Sequence, residues 1–216
     1  NVVDTANYTT FGQLVIAALI QFGGLGFMTF AILVLTSLQG KMGLSGSITA
    51  QEALGTHSNQ IGSTAKAVIK IAFITESLGF LGLTLLLAPL KGLKDAMYEA
   101  FFLCISAFNN AGFALNGNNM TAYVHQPMIS FIISLLIITG GIGFLVILDI
   151  IKHKRWQKFT LHTKVMVLGT LALNIIGCIL YWLLERHNAK TIGGLSEAGQ
   201  WFASWFMSVT SRTAGF

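Results

Sequence analysis

Two short segments hold the residues best suited to binding a bare cation. Ala111-Gly112-Phe113 recurs 103 positions later as Ala214-Gly215-Phe216, and each copy follows an apolar stretch of only about 12 residues, at 97–108 and 200–211. In full the segments run Asn109-Asn110-Ala111-Gly112-Phe113-Ala114-Leu115 and Ser211-Arg212-Thr213-Ala214-Gly215-Phe216. The chemistry on offer belongs to the main chain, because carbonyl oxygens turned into a pore can replace the hydration shell of a monovalent cation. Glycine is needed where the chain turns its carbonyls inward through angles that other residues resist. Candidate ion-filter residues are therefore Asn109, Asn110, Ala111, Gly112, Thr213, Ala214 and Gly215, with Arg212, Phe113 and Phe216 as support. The plain alternative is two turn glycines on an outer loop; the repeated flanks and matching stretch lengths weigh against it.

The remaining ionisable residues offer little other chemistry. Arg212 is the one basic residue in a filter segment. A cation lining a cation path would repel its own substrate, so its head is expected behind the filter, against a carboxylate or the negative end of its short helix. Glu76 lies deep in an apolar run, where an ionised group costs at least about 3 kcal/mol and function is the default inference. Asn174 occupies the matching place in the next run, which points instead to a polar bond between helices; both alternatives stand. Asp149 is expected to pair with Lys152 at a membrane edge, and Cys104 and Cys178, inside apolar runs, to serve packing. His57, His125, His153, His162 and His187 fall in loops or at membrane edges without metal-ligand spacing. No phosphate-binding loop, nucleophile elbow or zinc-hydrolase pattern is present, and the repeated glycines follow no predicted strand. Neither a cofactor nor a metal centre is expected in this chain beyond potassium at the filter carbonyls, and a nucleotide would have to bind a separate chain.

The elements that carry these segments belong in lipid. The 216 residues are 54% hydrophobic and 10% charged, with mean hydropathy +0.70, against about 45–50% and 25% in soluble domains. The net charge of +5 comes from residues scattered between apolar runs, which argues against nucleic acid as a partner. Four runs, 11–38, 67–90, 127–151 and 165–184, are long enough for a hydrocarbon core of about 30 Å. The two stretches of about 12 residues would reach only about 18 Å as helices, which fits re-entrant half-helices. Lys41, Lys66, Lys70, Lys152, Lys154, Arg155, Lys158 and Lys164 share one side, and Lys91, Lys94, Arg186 and Lys190 the other. The richer side is expected to be cytoplasmic, so both short stretches dip in from outside.

A second repeat fixes the units. Gly23-Gly24-Leu25-Gly26-Phe27 recurs 117 positions later as Gly140-Gly141-Ile142-Gly143-Phe144, each time within an inward-running stretch. Small-residue packing that lets these helices approach the half-helices closely is the expected role. The organisation that follows is the end of a first repeat at 1–38, a cytoplasmic loop at 39–66, a complete second repeat at 67–151, a basic cytoplasmic loop at 152–164, and the start of a third at 165–216. Asn1-Val2-Val3-Asp4 lacks the features of a signal peptide, and the abrupt start is that expected of a fragment.

With these residues in place, both filter segments resemble the second and third filter loops of the Trk/Ktr/HKT potassium transporters, particularly the Ktr-type bacterial membrane subunit. Gly23–Phe27, Met28-Thr29-Phe30 and Ile48-Thr49-Ala50-Gln51-Glu52-Ala53-Leu54 are similar to it too. The resemblance implies an all-α membrane protein of the bacterial plasma membrane, built from repeated helix, pore-helix, filter and helix units as a four-unit pseudo-tetrameric pore. It also implies a homodimer in the lipid bilayer, gated by a cytoplasmic nucleotide-binding ring, with Asn1–Thr5 as the outer exit of a first filter and potassium uptake as the function. A sodium-permeable relative is the alternative within the family, and a polytopic membrane enzyme or scaffold the alternative outside it. An enzyme would need a second deep ionisable group near Glu76.

Overall fold

The computed structural model describes residues 4–39 and 61–216, with side chains at 4–25 and 67–216. The expected first-filter exit at Asn1–Val3, most of the 39–66 loop with Lys41 and His57, and the side chains of Met28–Phe30 and Lys66 lie outside the described residues. Among the described residues the secondary structure is entirely helical. The helices are α1 (Thr10–Gln39), α2 (Ile61–Lys91), α3 (Leu93–Phe108), α4 (Pro127–Gly141), α5 (Phe144–His153), α6 (Leu161–Glu185) and α7 (Glu197–Thr213).

Apolar side chains point outward to an extent that water would not tolerate. Phe73, Leu78 and Leu85 on α2 and Leu161, Leu173 and Leu184 on α6 are all exposed, Leu85 by 76% and Leu184 by 77%. Two described helices, Ala67–Lys91 and Leu161–Glu185, are long and apolar enough to cross a membrane. The buried face of α2 carries Leu83 and Leu87, and that of α3 carries Ala96, Ala100, Leu103 and Ala107. Alanines at this helical spacing let α2 lie close along α3. Gly79 and Gly82 do the same for α4, whose Leu136 and Ile132 occupy the space where their side chains would begin.

The third expected crossing is not one helix. It breaks between Gly141 and Phe144 with a bend of 93°, leaving α4 and α5. Gly143 sits at φ +98°, a conformation that an L side chain resists and that ends the α4 hydrogen-bond ladder. The physical reason for the break is packing: α4 touches both α3 and α7, whereas α5 leaves them to reach α6, and Phe144 packs its ring against Phe108 at 6.1 Å.

Both short helices exceed the expected 12 residues. α3 has 16 and α7 has 17, about 24–26 Å at ~1.5 Å per residue. The extra residues are first turns that hydropathy omits and, in α7, Arg212 and Thr213 at its C-terminal end. Gly92, at φ +84°, lets α3 restart immediately after α2 with Asp95 in its first turn, and Ser196 caps α7 by accepting from the Gly199 N–H. Acidic residues and an oxygen cap suit the positive end of a helix.

The helix pairs α2–α3 and α6–α7 are tied differently at the ends away from the glycine segments. Glu99 on α3 is buried and takes Lys91 Nζ at 2.6 Å, Asn116 Nδ2 at 2.5 Å and the Tyr123 hydroxyl. Between α6 and α7, Trp182 stacks on Trp201 at 4.6 Å and the Arg186 guanidinium lies 4.8 Å over Trp182. Asp149 does not pair with Lys152 as expected. Its Oδ1 lies 2.6 Å from His153 Nδ1, and its Oδ2 accepts from the Thr160 N–H at 2.9 Å, so it ties α5 to the start of α6. The i and i+4 positions share a helix face, which carries His153 inward while Lys152 stays exposed.

The glycine packing is open to test. A Cβ on Gly140 would stand 1.7 Å from the Phe108 carbonyl oxygen, a backbone atom, whereas one on Gly23 would meet nothing within 4 Å. Gly140→Ala is expected to cost at least about 2–3 kcal/mol, while Gly23→Ala is neutral or stabilising by up to about 1 kcal/mol. Thermal unfolding of the purified full-length protein in detergent measures the difference.

Candidate filter site

Both glycine segments leave the C-terminal end of a short helix by the same device. At α3 the Ser106 carbonyl accepts from the Ala111 N–H at 2.8 Å, and its hydroxyl accepts from the Phe113 N–H at 2.7 Å. At α7 the Thr210 carbonyl accepts from the Gly215 N–H at 2.8 Å, and its hydroxyl accepts from the Phe216 N–H at 2.8 Å. Both hydroxyl residues are buried. One side chain thus satisfies an N–H that would otherwise face an apolar interior unpaired, and fixes how the chain turns away from the helix. Reading residue types along the chain misses Ser106 and Thr210, although a hydroxyl residue five or six positions before each filter glycine is a signal that could have found them.

The glycines themselves match. Gly112 has φ +72° and Gly215 φ +73°, and Asn110 also adopts the left-handed region at +55°. The two segments meet: a Cβ on Gly112 would lie 2.1 Å from the Ala214 carbonyl oxygen and 3.0 Å from the Gly215 carbonyl carbon. Thr213 Oγ1 donates to Asn110 Oδ1 at 2.9 Å, a second link between them. Residues about a hundred positions apart are thereby joined at the negative ends of two converging helices, which favour a cation.

The second segment is non-helical from Ala111 to Ala114, as its residue types imply. The third is shorter than expected. Ser211, Arg212 and Thr213 remain in α7, because Thr210 and its successors continue the ladder until Ala214. Phe113 and Phe216 follow the glycines and place their N–H groups on the anchoring hydroxyls.

Behind the segments the double-glycine repeats receive the side chain three places before each filter glycine. A Cβ on Gly24 would stand 1.9 Å from Asn109 Oδ1, and one on Gly141 would stand 3.5 Å from Arg212 Nη2. The expected close approach of these helices to the half-helices is therefore a socket for Asn109 and Arg212. Arg212 finds neither a carboxylate nor a helix end: its Nη1 donates to Thr170 Oγ1 on α6 at 2.9 Å. A hydroxyl suffices there because no carboxylate is carried by the facing turn of α6.

Glu76 makes interhelical bonds. Its Oε2 accepts from Gln21 Nε2 of α1 at 3.1 Å and its Oε1 from Asn109 Nδ2 at 3.5 Å. Asn109 Nδ2 also donates to Gln21 Oε1 and to the Ile105 carbonyl, each at 2.9 Å. Gln21 is not marked in the sequence, because an amide in an apolar helix carries no charge signal. Asn174, the counterpart of Glu76, is 1% exposed and makes its contact through the backbone, its carbonyl accepting from Ser208 Oγ at 2.8 Å. The structure thus brings Glu76 to the second segment without bringing the Asn174 side chain to the third in the same way.

Ser106→Ala leaves the partly buried Phe113 N–H without its acceptor, an expected loss of about 1–3 kcal/mol. Ser106→Thr, which keeps the hydroxyl, retains most of it. Thermal midpoints of the two full-length variants in potassium-containing detergent solution give the comparison.

The family described as "TrkH: Cation transport protein" matches residues 1–216. The chain is 44% identical over 218 residues to the Ktr system potassium uptake protein B of Bacillus subtilis (strain 168), covering 100% of this chain and 49% of that protein. It is 40% identical over 221 residues to the protein of the same name from Vibrio alginolyticus, covering 100% and 48%. It is 34% identical over 213 residues to the potassium/sodium uptake protein NtpJ of Enterococcus hirae, covering 97% and 47%. The chain spans about half the length of these relatives.

Proposed function

Because this chain belongs to the TrkH cation transport protein family, we propose that it supplies the second and third filters of a potassium uptake protein in the bacterial cell membrane. The observation that carries this is the backbone contact between Gly112 and Ala214–Gly215 at the ends of two short helices. Asn109, Asn110, Ala111 and Gly112 in one arm and Thr213, Ala214 and Gly215 in the other present main-chain oxygens to a partly dehydrated potassium ion. Arg212, Phe113 and Phe216 hold the arms from behind. The part is a transporter's and not an enzyme's, in keeping with relatives named as uptake proteins.

The repeat boundaries at 1–38, 67–151 and 165–216 divide the parent pore into units, joined by cytoplasmic segments at 39–66 and 152–164. The parent is a homodimer whose cytoplasmic face meets a nucleotide-binding regulatory ring, as the Ktr-type resemblance implies. Sodium passage is the second reading, favoured by the name of the Enterococcus hirae relative; the other filters of the parent protein would decide it.

Complementation of a potassium-uptake-deficient bacterium with the full-length parent gene tests the assignment. Gly112→Ser and Gly215→Ser put a side chain where φ is positive, and at Gly112 directly against the Ala214 carbonyl. Each is expected to lower uptake at limiting potassium by about tenfold or to shift the potassium/sodium ratio by a similar factor. Wild-type uptake and ratio in both variants would remove the filter from these segments.

A further inference from the structure

Among the described residues, the carboxyl of Glu76 is the one acidic group that reaches the second filter segment, and it does so through a set of hydrogen bonds. Gln21 Nε2 donates to Glu76 Oε2, and Asn109 Nδ2 is held jointly by Gln21 Oε1, the Ile105 carbonyl and Glu76 Oε1. Asn109 ends α3 at φ −84° and ψ 6°, and the next residue, Asn110, takes the left-handed turn that begins the segment. Asn110 Oδ1 then accepts from Thr213 Oγ1 of the other arm. The path therefore runs through side chains from α1 and α2 to Asn109, the residue capping α3, passes along the main chain to Asn110, and reaches the other arm through the Asn110 side chain.

We propose that Glu76 is a positioning residue for ion selection, setting the turn at Asn109–Asn110 and hence the placement of the second arm's carbonyls against the third. The proposal rests on the filter assignment above. Discrimination between potassium and sodium depends on where carbonyl oxygens stand and how strong a field they make, so a group that orients the residue entering the arm acts on selectivity as well as on stability. Two features separate Glu76 from an ordinary interhelical bond. Its oxygens accept from both α1 and the filter segment, and no described residue of the third arm repeats it, since Arg212 there is held by the Thr170 hydroxyl. A lateral cavity of about 430 Å3 lies beside the triad, lined by Phe22, Phe73, Ser77 and Cys104 among others, so a side chain of similar size is accommodated at position 76.

The test uses the full-length parent protein, with rubidium and sodium uptake measured in vesicles or in an uptake-deficient bacterium. Glu76→Gln is isosteric but places an NH2 against one of the two amide donors. It is expected to lower potassium/sodium preference about fivefold, with a rise in half-saturation larger than any fall in maximal rate. Combining it with Asn109→Asp returns a carboxyl to the triad from the other side, and preference is expected to recover in part. A purely structural role would lower the amount of folded protein and leave preference unchanged. Should Glu76→Gln fail to reach the membrane, Gln21→Met leaves the carboxyl in place, removes one side of the brace, and is expected to shift preference in the same direction by about twofold. Wild-type preference in Glu76→Gln, or in Gln21→Met where that stands in, overturns the proposal if Gly112→Ser in the same assay does alter it. If Gly112→Ser alters nothing either, it is the filter assignment that falls.

Discussion

A peptide chain at membrane depth must find partners for its polar groups, and that constraint governs this structure. Lipid offers no hydrogen bonds, so a non-helical segment survives only where protein satisfies its donors. Four of the donors are met by Ser106 and Thr210, each giving a carbonyl and a hydroxyl to two N–H groups of the segment that follows. The Ala111, Phe113, Gly215 and Phe216 N–H groups are all turned back toward the helix ends, and those ends carry a negative potential of their own.

Holding two such segments against each other requires backbones to approach closely, and glycine makes that possible at different depths. Gly112 admits the Ala214 carbonyl, Gly140 admits the Phe108 carbonyl, and Gly24 and Gly141 admit the side chains of Asn109 and Arg212. The glycines of the motif repeat along the chain, but the closeness of approach at their sockets, 1.9 Å at Gly24 against 3.5 Å at Gly141, and the side chains placed in them do not. An amide held by a carboxyl and a second amide occupies one, and a guanidinium held by a hydroxyl occupies the other. Pseudo-symmetry is thus a property of the backbone and of its glycines, with the polar chemistry left to each unit.

Much of this plan is legible in the chain because it repeats. Ala-Gly-Phe and Gly-Gly-x-Gly-Phe mark the units, and long apolar runs locate α1, α2 and α6 without reference to any partner. What is not legible depends on which face meets which neighbour. The break at Gly143 is invisible to hydropathy, since Ile142 and Phe144 are as apolar as a continuous crossing would be. The partners of Asp149 and Arg212 do not follow from charge, because a histidine one turn away and a threonine on another helix lie nearer than any group of opposite charge that the sequence suggests. Glu99 is missed for the opposite reason. It lies near the start of the apolar 97–108 stretch without a motif to mark it, and its burial comes from Lys91, Asn116 and Tyr123 closing over it.

The break at Gly143 follows from the same close packing. α4 lies against α3 and α7 at once, so its course is fixed by the two short helices. A straight continuation would carry Phe144 along that line, away from the end of α3. The turn at φ +98° instead sets the Phe144 ring 6.1 Å from that of Phe108, beside the residue whose carbonyl Gly140 accommodates. Gly140, Gly141 and Gly143 therefore act on one small region in succession: the first lets the helix touch the end of α3, the second receives Arg212, and the third redirects the chain toward α6. A motif that reads as generic small-residue packing resolves into a steric requirement at Gly140, where a Cβ would stand 1.7 Å from a backbone oxygen, and a conformational one at Gly143, while a Cβ on Gly141 would only make ordinary contact at 3.5 Å.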